Sequence, residues 1–376
     1  MNIALISVAP PYRGGISEHT KGLYNTLIQN HSVKIFSFYH QYPKLFFPGK
    51  SQVIDKEYNF SDTDYCISSI NPFSWIKTTQ KILNFKPDLV IFTYWSPYFA
   101  PCFGFIAKTL KTKIGSNKLI SIFHNVLPHE KSFFNKFLFK YYIKSFEKCM
   151  FMSDFVKSEL KIFKRNFDSS IRFLPIDTNY KSKFKRSDLR NEIKINGNDN
   201  IILFFGLIRK YKGLEVLLRA AYKHFKINPN SKLIIAGEAY ENKTKYSKII
   251  EELNIQNKVI WFDQFISNEK IEKLMILSDL LVLPYHSASQ SGVLSQAWQY
   301  EIPSIATNVG GLPEYIDNEK SGYIVNENDS NDLAKKITYF FESNCLLNMK
   351  EYIRLNKNKF SWENYIEGIW ALIDES

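Results

Sequence analysis

The chain has 376 residues, 45% of them apolar, with 49 Lys and Arg against 37 Asp and Glu. That length exceeds one ordinary hydrophobic core and points to two domains of about 180 residues each. The apolar fraction and mixed charge exclude disordered, collagen-like and low-complexity classes. The formal net charge of +12 asks for an anionic partner, and all of it lies early. Residues 1–175 carry 23 basic and 11 acidic side chains, and residues 176–376 carry 26 of each. The densest stretch, 108–165, holds 13 basic and 4 acidic residues, which fits a docking surface better than general solubility. Cys66, Cys102, Cys149 and Cys345 have no paired spacing, so neither a zinc site nor a disulfide framework is indicated.

In chain order, Ile3–Val8 reads as a buried strand, and the opening MNIALISVAP lacks the basic region of a signal peptide. Pro10-Pro11-Tyr12-Arg13-Gly14-Gly15 then leads into a helix over Ser17–Gln29, beginning near Ile16 or Ser17. Two glycines before a helix are either a tight turn or a cradle whose N–H groups face an anion. The next strand, Val33–Tyr39, ends without an acidic residue, which argues against a dinucleotide site. His19 reads as a packing or supporting residue. Asp62-Thr63-Asp64 resembles a metal-binding D-x-D, but among Asp55, Glu57 and Asn59 it reads as a solvated turn.

Leu89–Ala107 runs 19 residues without a formal charge, near the length of a membrane span. Pro97, Pro101 and Gly104 interrupt it, so the expectation is a buried strand, Leu89–Tyr94, then an apolar loop and a helix. Trp95, Tyr98, Phe99, Phe103 and Phe105 exceed the needs of one core and suggest an apolar patch. Strand Leu119–Phe123 ends at His124, which reads as a cleft residue, with His129 nearby. A last strand of this half is expected at Arg172–Pro175.

Residues 176–200 turn polar and charged, the natural domain boundary. Strands follow at Ile201–Phe205, Lys232–Ala236, Val259–Phe262, Leu280–Leu283 and Ser304–Ala306, with helices such as Leu214–His224 and Ile271–Leu277 between them. The alternation predicts an α/β protein of two doubly wound parallel-sheet domains. Gly206-Leu207-Ile208-Arg209-Lys210-Tyr211-Lys212-Gly213 places three cations before a helix, where positive charge is locally unfavourable. A solvated basic loop or an anion site both fit, and an anion would remove the conflict. Tyr285–Val293 brings Gln290, Ser291 and Gly292 to another helix start, near Val293–Tyr300. Pro303–Glu314 repeats the strand-to-glycine turn. Ligands of open α/β sheets bind beyond the carboxyl ends of the strands, where all these turns lie.

The segments GGISEHTKGL, FHNVLPHE, FFGLIRKYKGLEVLLRA, DLLVLPYHSASQSGVLSQA, IPSIATNVGGLPE and FSWENYIEGI resemble the retaining glycosyltransferases of family 4, in that family's order. The resemblance implies the GT-B fold, two Rossmann-like domains facing across a cleft. It places an acceptor-side domain at 1–178, with helix 356–376 packing back on it, and a nucleotide-sugar domain at 179–355. It further implies transfer of a sugar from a nucleotide diphosphate donor, with retention and without a cofactor or bound metal. By motif position, Arg209 and Lys212 hold the donor diphosphate, and Gly14, Gly15 and Gly206 approach it. Gly292 and Val293 offer N–H groups, His124 sits beside the sugar, and Gln290 and Ser291 reach its hydroxyls. Gln296 stands where the family has its second motif glutamate, Ala288 where it has the first, and Leu207 where an arginine is frequent.

The leading expectation is therefore a UDP- or GDP-sugar glycosyltransferase acting on a glycan or lipid-linked acceptor in cell-surface polysaccharide synthesis. It would be cytoplasmic and peripheral on the inner face of an anionic membrane. A noncatalytic sugar-nucleotide or glycan binder and a nucleotide-sugar epimerase are the alternatives. Nucleic acid is not expected as a partner, because no recognised reading motif accompanies the basic residues.

Overall fold

A computed structural model describes residues 1–43, 52–53, 60, 62–126, 133–163, 166–193 and 195–374. Asp55, Glu57, Asn59 and His129 lie outside them. The chain divides into two compact units, Met1–Pro175 with Trp362–Ser376, and Ile176–Ser361.

The first unit contains strands β1 (Asn2–Ile6), β2 (Ser32–His40), β3 (Thr63–Ser68), β4 (Leu89–Tyr94), β5 (Leu119–Phe123), β6 (Lys148–Phe151) and β7 (Asp168–Ile171). Its helices are α1 (Gly15–Leu27), α2 (Pro72–Phe85), α3 (Ala100–Ile114), α4 (Phe133–Ile143) and the short α5 (Asp154–Ser158). The second unit contains α6 (Arg186–Glu192), β8 (Asn200–Phe205), α7 (Leu214–Ile227), β9 (Ser231–Ala236), α8 (Thr244–Glu252) and β10 (Val259–Phe262). It continues with α9 (Asn268–Leu277), β11 (Leu280–Leu283), α10 (Gly292–Gln299), β12 (Ser304–Thr307), β13 (Gly322–Val325), α11 (Ser330–Glu342) and α12 (Leu346–Asn356). A final helix, α13 (Trp362–Asp374), belongs to the first unit.

The first sheet is parallel throughout, in the order β3-β2-β1-β4-β5-β6-β7. Every residue of β4 and β5 is buried, as expected for strands covered on both faces. One face packs against α2, α3 and α4 through Ile82, Phe103, Ile106, Phe139 and Tyr142. The other packs against α1 and α13 through Leu23, Leu27, Tyr365 and Ile369. The close α1–α13 contact requires Gly22, since a Cβ there would lie 2.0 Å from the Trp362 ring. The second sheet, also parallel, has the order β10-β9-β8-β11-β12-β13. Both are doubly wound, with switch points at β1/β4 and β8/β11.

The unit boundary falls at Pro175/Ile176 rather than 178/179, and the return at Trp362 rather than 356. The Ile176 N–H donates to the Phe360 carbonyl, 2.8 Å, and Lys357 pairs with Glu301, 2.9 Å. Phe360 packs on Trp298 and Tyr315, ring centroids 4.9 and 5.8 Å away. Residues 357–361 are therefore held by the second unit.

The edges depart most from expectation. The seventh strand is Asp168–Ile171, not Arg172–Pro175. Arg172 instead turns onto α13, donating from Nε to the Asn364 carbonyl at 2.9 Å. Thr63 and Asp64 begin the edge strand β3 and are not a solvated turn. Asp62 accepts from the Tyr24 hydroxyl at 2.5 Å, and Asp64 pairs with Lys81 at 2.9 Å. Among the apolar residues of 89–107, Phe99 and Phe103 are fully buried, while Trp95, Tyr98 and Phe105 are half-buried. No helix among the described residues is long and apolar enough to cross a membrane.

Candidate functional site

The loops after β8 and β11 lie side by side at the switch point of the second sheet, because those strands are neighbours. Backbone contacts lace them together. The His286 N–H donates to the Tyr211 carbonyl at 2.6 Å. Gly213 has φ 65°, and a Cβ there would lie 1.9 Å from the Pro284 oxygen, so only glycine permits this approach. The loop after β12 joins them, the Gly311 N–H donating to the Ala288 carbonyl at 3.2 Å. Gly310, at φ 53°, passes so close to Ala288 that a Cβ would clash with its carbonyl.

Lys212 is the chemical centre of this arrangement. Its side chain is buried, and Nζ donates to the Tyr285 hydroxyl at 2.9 Å. No carboxylate pairs with it among the described residues. Gly206, at φ 118°, leaves room for the ammonium, which stands 2.8 Å from where a Cβ would be. The Val293 methyl lies 3.9 Å from that same point, so Gly206, Lys212, Tyr285 and Val293 meet. Burial pushes the Lys212 amine below its usual range, Tyr211 opposes the shift, and Arg209 adds to it. Burial likewise raises the Tyr285 phenol, so it stays neutral. A buried cation facing only a phenol is unfavourable until an anion arrives.

The start of α10 supplies donors beside this cation. Ser291 caps the helix, its Oγ accepting from the Leu294 N–H at 3.3 Å. The Gly292 and Val293 N–H groups precede the first helical bond and have no backbone partner among the described residues. The Gln290 Oε1 and Ser295 Oγ are buried with no hydrogen-bond partner among the described residues. Gln296 is half-buried on the same helix. Arg209 is exposed, with its guanidinium 5.2 Å from the Tyr240 ring centroid. Tyr285 and Tyr240 were not assigned from sequence. Tyr240 comes from the loop after β9, and nothing local to it announces a partnership with Arg209.

In the first unit, Gly14, at φ 116°, is the N-cap of α1, and nothing lies within 4 Å of a Cβ built on it or on Gly15. His124 follows β5, its N–H donating to the Tyr94 carbonyl at 2.9 Å. Its ring is buried edge-on to His19, centroids 4.7 Å apart, and Nε2 has no hydrogen-bond partner among the described residues. His19 in turn shares a 2.7 Å hydrogen bond with Tyr365 of α13. Burial lowers His19 to about 3 and takes His124 well below its usual range, so both imidazoles are neutral at neutral pH.

Residues 185–362, nearly all of the second unit, match the family profile described as Glycosyl transferases group 1. The second unit is therefore similar to the glycosyl transferases group 1 domain. The chain is 28% identical over 196 residues to the D-inositol 3-phosphate glycosyltransferase of Corynebacterium jeikeium, covering 50% of this chain and 46% of that protein. An uncharacterized glycosyltransferase of Methanocaldococcus jannaschii is 25% identical over 388 residues, covering 100% of this chain and 98% of that one. Apart from such full-length matches, the chain spans about half the length of the relatives it matches. Among solved structures, Anabaena HepE in complex with UDP has a TM-score of 0.76 at 15% identity, with 100% of both chains covered. The whole chain thus has the GT-B fold, and the group 1 match falls in its second unit.

Proposed function

We propose that the protein is a retaining glycosyltransferase that takes a sugar from a UDP- or GDP-linked donor and passes it to a glycan or lipid-linked acceptor. The observation that carries this reading is Lys212, a buried cation with a phenol for a partner, set at the β8/β11 switch point beside the N–H groups of α10. A diphosphate supplies the missing negative charge. As the anomeric bond breaks, charge grows on the departing diphosphate, and a preorganised ammonium with two N–H groups stabilises it more than the bound donor. Arg209 adds a second, exposed cation. Gly206 admits the close approach, while Gln290, Ser291 and Gln296 offer neutral donors and acceptors to sugar and ribose hydroxyls.

Within the first unit, His124 has a neutral imidazole whose Nε2 has no hydrogen-bond partner among the described residues, and the Gly14-Gly15 turn opens helix α1. With no carboxylate at 288 or 296, attack on the face vacated by the leaving group, its phosphate oxygen taking the acceptor proton, is the mechanism we assign. UDP-glucose is bound by Anabaena HepE, a protein of the same fold, which supports a nucleotide-sugar donor. We further place the enzyme on the cytoplasmic face of a membrane, in cell-surface polysaccharide synthesis, without a metal cofactor.

Calorimetric titration with UDP, GDP and their sugars, followed by donor turnover with lipid-linked acceptors, tests the proposal. Lys212→Met should weaken nucleotide binding and lower transfer by about 10²–10³-fold. Unchanged transfer in Lys212→Met and Arg209→Ala together would show that the diphosphate binds elsewhere. The motif positions Ala288 and Gln296 favour a second reading, a sugar-nucleotide binder without activity. Tight donor binding with no transfer to any acceptor would select it.

A further inference from the structure

The helices α2, α3 and α4 cover one face of the first sheet and contain seven lysines and no Asp or Glu: Lys77, Lys81, Lys108, Lys111, Lys113, Lys136 and Lys140. Lys81 and Lys111 have carboxylate partners. The others have none among the described residues. The same helices expose large apolar side chains: Phe73 is 75% exposed, Ile76 55%, and Phe134 and Phe137 each 63%. Each pair is spaced i, i+3 and therefore shares one side of its helix. Aromatic contacts knit the layer between them. Trp75 of α2 meets Phe105 of α3 at 5.9 Å, and the Tyr141 ring of α4 lies over Gly104 of α3.

The order along the helices matters. Phe73, Ile76, Phe134 and Phe137 occupy the first turns of α2 and α4, and most of the lysines lie further along. In a parallel sheet the helix starts adjoin the carboxyl ends of the strands. The apolar residues therefore edge the same end of the unit as Gly14, Gly15 and His124. The opposite face is different: α1 and α13 carry Glu18, Glu363 and Glu367 and a single lysine, Lys21. Charge is thus divided between the two faces of one unit.

We infer that the α2–α3–α4 face is a docking surface for an anionic lipid bilayer, with Phe73, Ile76, Phe134 and Phe137 entering the interface and the lysines lying over lipid phosphates. Exposed aromatics beside lysines, on helices that carry no acidic residue, are what an interfacial surface needs. A second copy of the chain is a poor occupant, because like faces would oppose lysine to lysine. Docked this way, the carboxyl end of the first sheet stands near the bilayer, where a lipid-linked acceptor presents its sugar. This deepens the lipid-linked acceptor reading and rests on it for its purpose alone.

The test is co-sedimentation of the full chain with vesicles of phosphatidylcholine alone or mixed equally with phosphatidylglycerol, at low and high salt, with no substrate present. Binding is expected to the mixed vesicles at low salt and to fall at high salt. Lys136→Gln with Lys140→Gln should weaken it by roughly 30-fold, about fivefold per cation. Phe134→Ser with Phe137→Ser should weaken binding even to the most anionic vesicles and make the remainder wholly salt-sensitive. Both variants should keep the wild-type nucleotide titration, which reads folding and the second unit's site independently. Absence of binding to anionic vesicles, or binding unchanged in both variants, overturns the inference. So does a dimer in sedimentation that the Phe→Ser pair dissolves, or equal binding to nucleic acid. An inactive protein that still docks leaves the inference standing and counts against the catalytic reading alone.

Discussion

Each unit buries one lysine, in different surroundings: the Nζ of Lys148 on β6 of the first unit has no hydrogen-bond partner among the described residues, whereas that of Lys212 in the second donates to a phenol at a switch-point loop. The first unit has 23 basic and 15 acidic residues once α13 is included, and its lysines crowd exposed helices. The second has 26 and 22, half that excess, and it buries Lys212 with only a phenol beside it. Exposed lysines are individually cheap, screened and additive. A buried one is costly and therefore specific, because only a matching anion relieves it. Arg190 shows that burial alone is not the signal. It too is buried, but it pairs with Asp279 and donates to the carbonyls of Asn196, Gly197 and Asp199, so its demand is met within the fold.

Removing the buried cation should have the largest effect. Lys212→Met keeps much of the apolar stem's packing and should lower transfer by about 10²–10³-fold, the usual loss for one preorganised donor to developing charge. If steady-state kinetics show less than a tenfold loss, the buried cation is structural. Next comes the backbone that frames it. Gly213→Ala would set a Cβ against the Pro284 carbonyl at a left-handed φ, and should cost about 1–3 kcal/mol or shift the loop. Thermal unfolding would report the first outcome and loss of nucleotide affinity the second.

The pH response compares the units through their buried histidines. His19 is held near 3 and His224 near 4, both by burial, against an ordinary value of 6.5. A depressed pKa in the folded state means the unfolded chain takes up the proton first. Stability is therefore complete above about pH 6.5 and falls as pH drops toward the folded value. At pH 5 each of these two sites should have lost about 2 kcal/mol. His124 acts in the same direction in the first unit, adding to His19. Hydrogen exchange followed by peptide should therefore show the first unit opening earlier than the second on acidification from pH 7. Equal loss in both would mean that the paired imidazoles are better solvated than their burial implies.

Much of this was legible in sequence because parallel strands covered on both faces are short apolar runs, and β4, β5 and β11 fall at the expected residues, as does the apolar edge strand β10. The edge misreadings have a local cause: β3 and β7 are sheet edges whose half-exposed residues read TDYCIS and DSSI, with no apolar run to find. The glycines around Lys212 showed where an anion could approach. They did not show that the lysine is buried, nor that Tyr285 is its partner, because both depend on β8 and β11 being neighbours. Tyr240 under Arg209 and His19 against His124 are likewise products of topology, invisible to spacing along the chain.

The smallest predicted effect divides buried from exposed charge most cleanly. Arg209 lies in solvent with its guanidinium near Tyr240, so its attraction for a diphosphate is screened, and it gives up a cation–π contact to reach one. Arg209→Ala should therefore weaken nucleotide binding by only about 3- to 10-fold at low salt, in line with an exposed charge pair worth roughly 1 kcal/mol. The deficit should shrink further at high salt, since the Debye length falls below the contact distance of a mobile side chain. Lys212→Met should behave otherwise: solvent ions do not reach its ammonium, so its penalty should stay nearly constant across the same salt range. Titrations of both variants at two ionic strengths give the comparison directly. Parallel salt dependence would mean that Lys212 meets its anion through water and that Arg209 and Lys212 act as one exposed cluster.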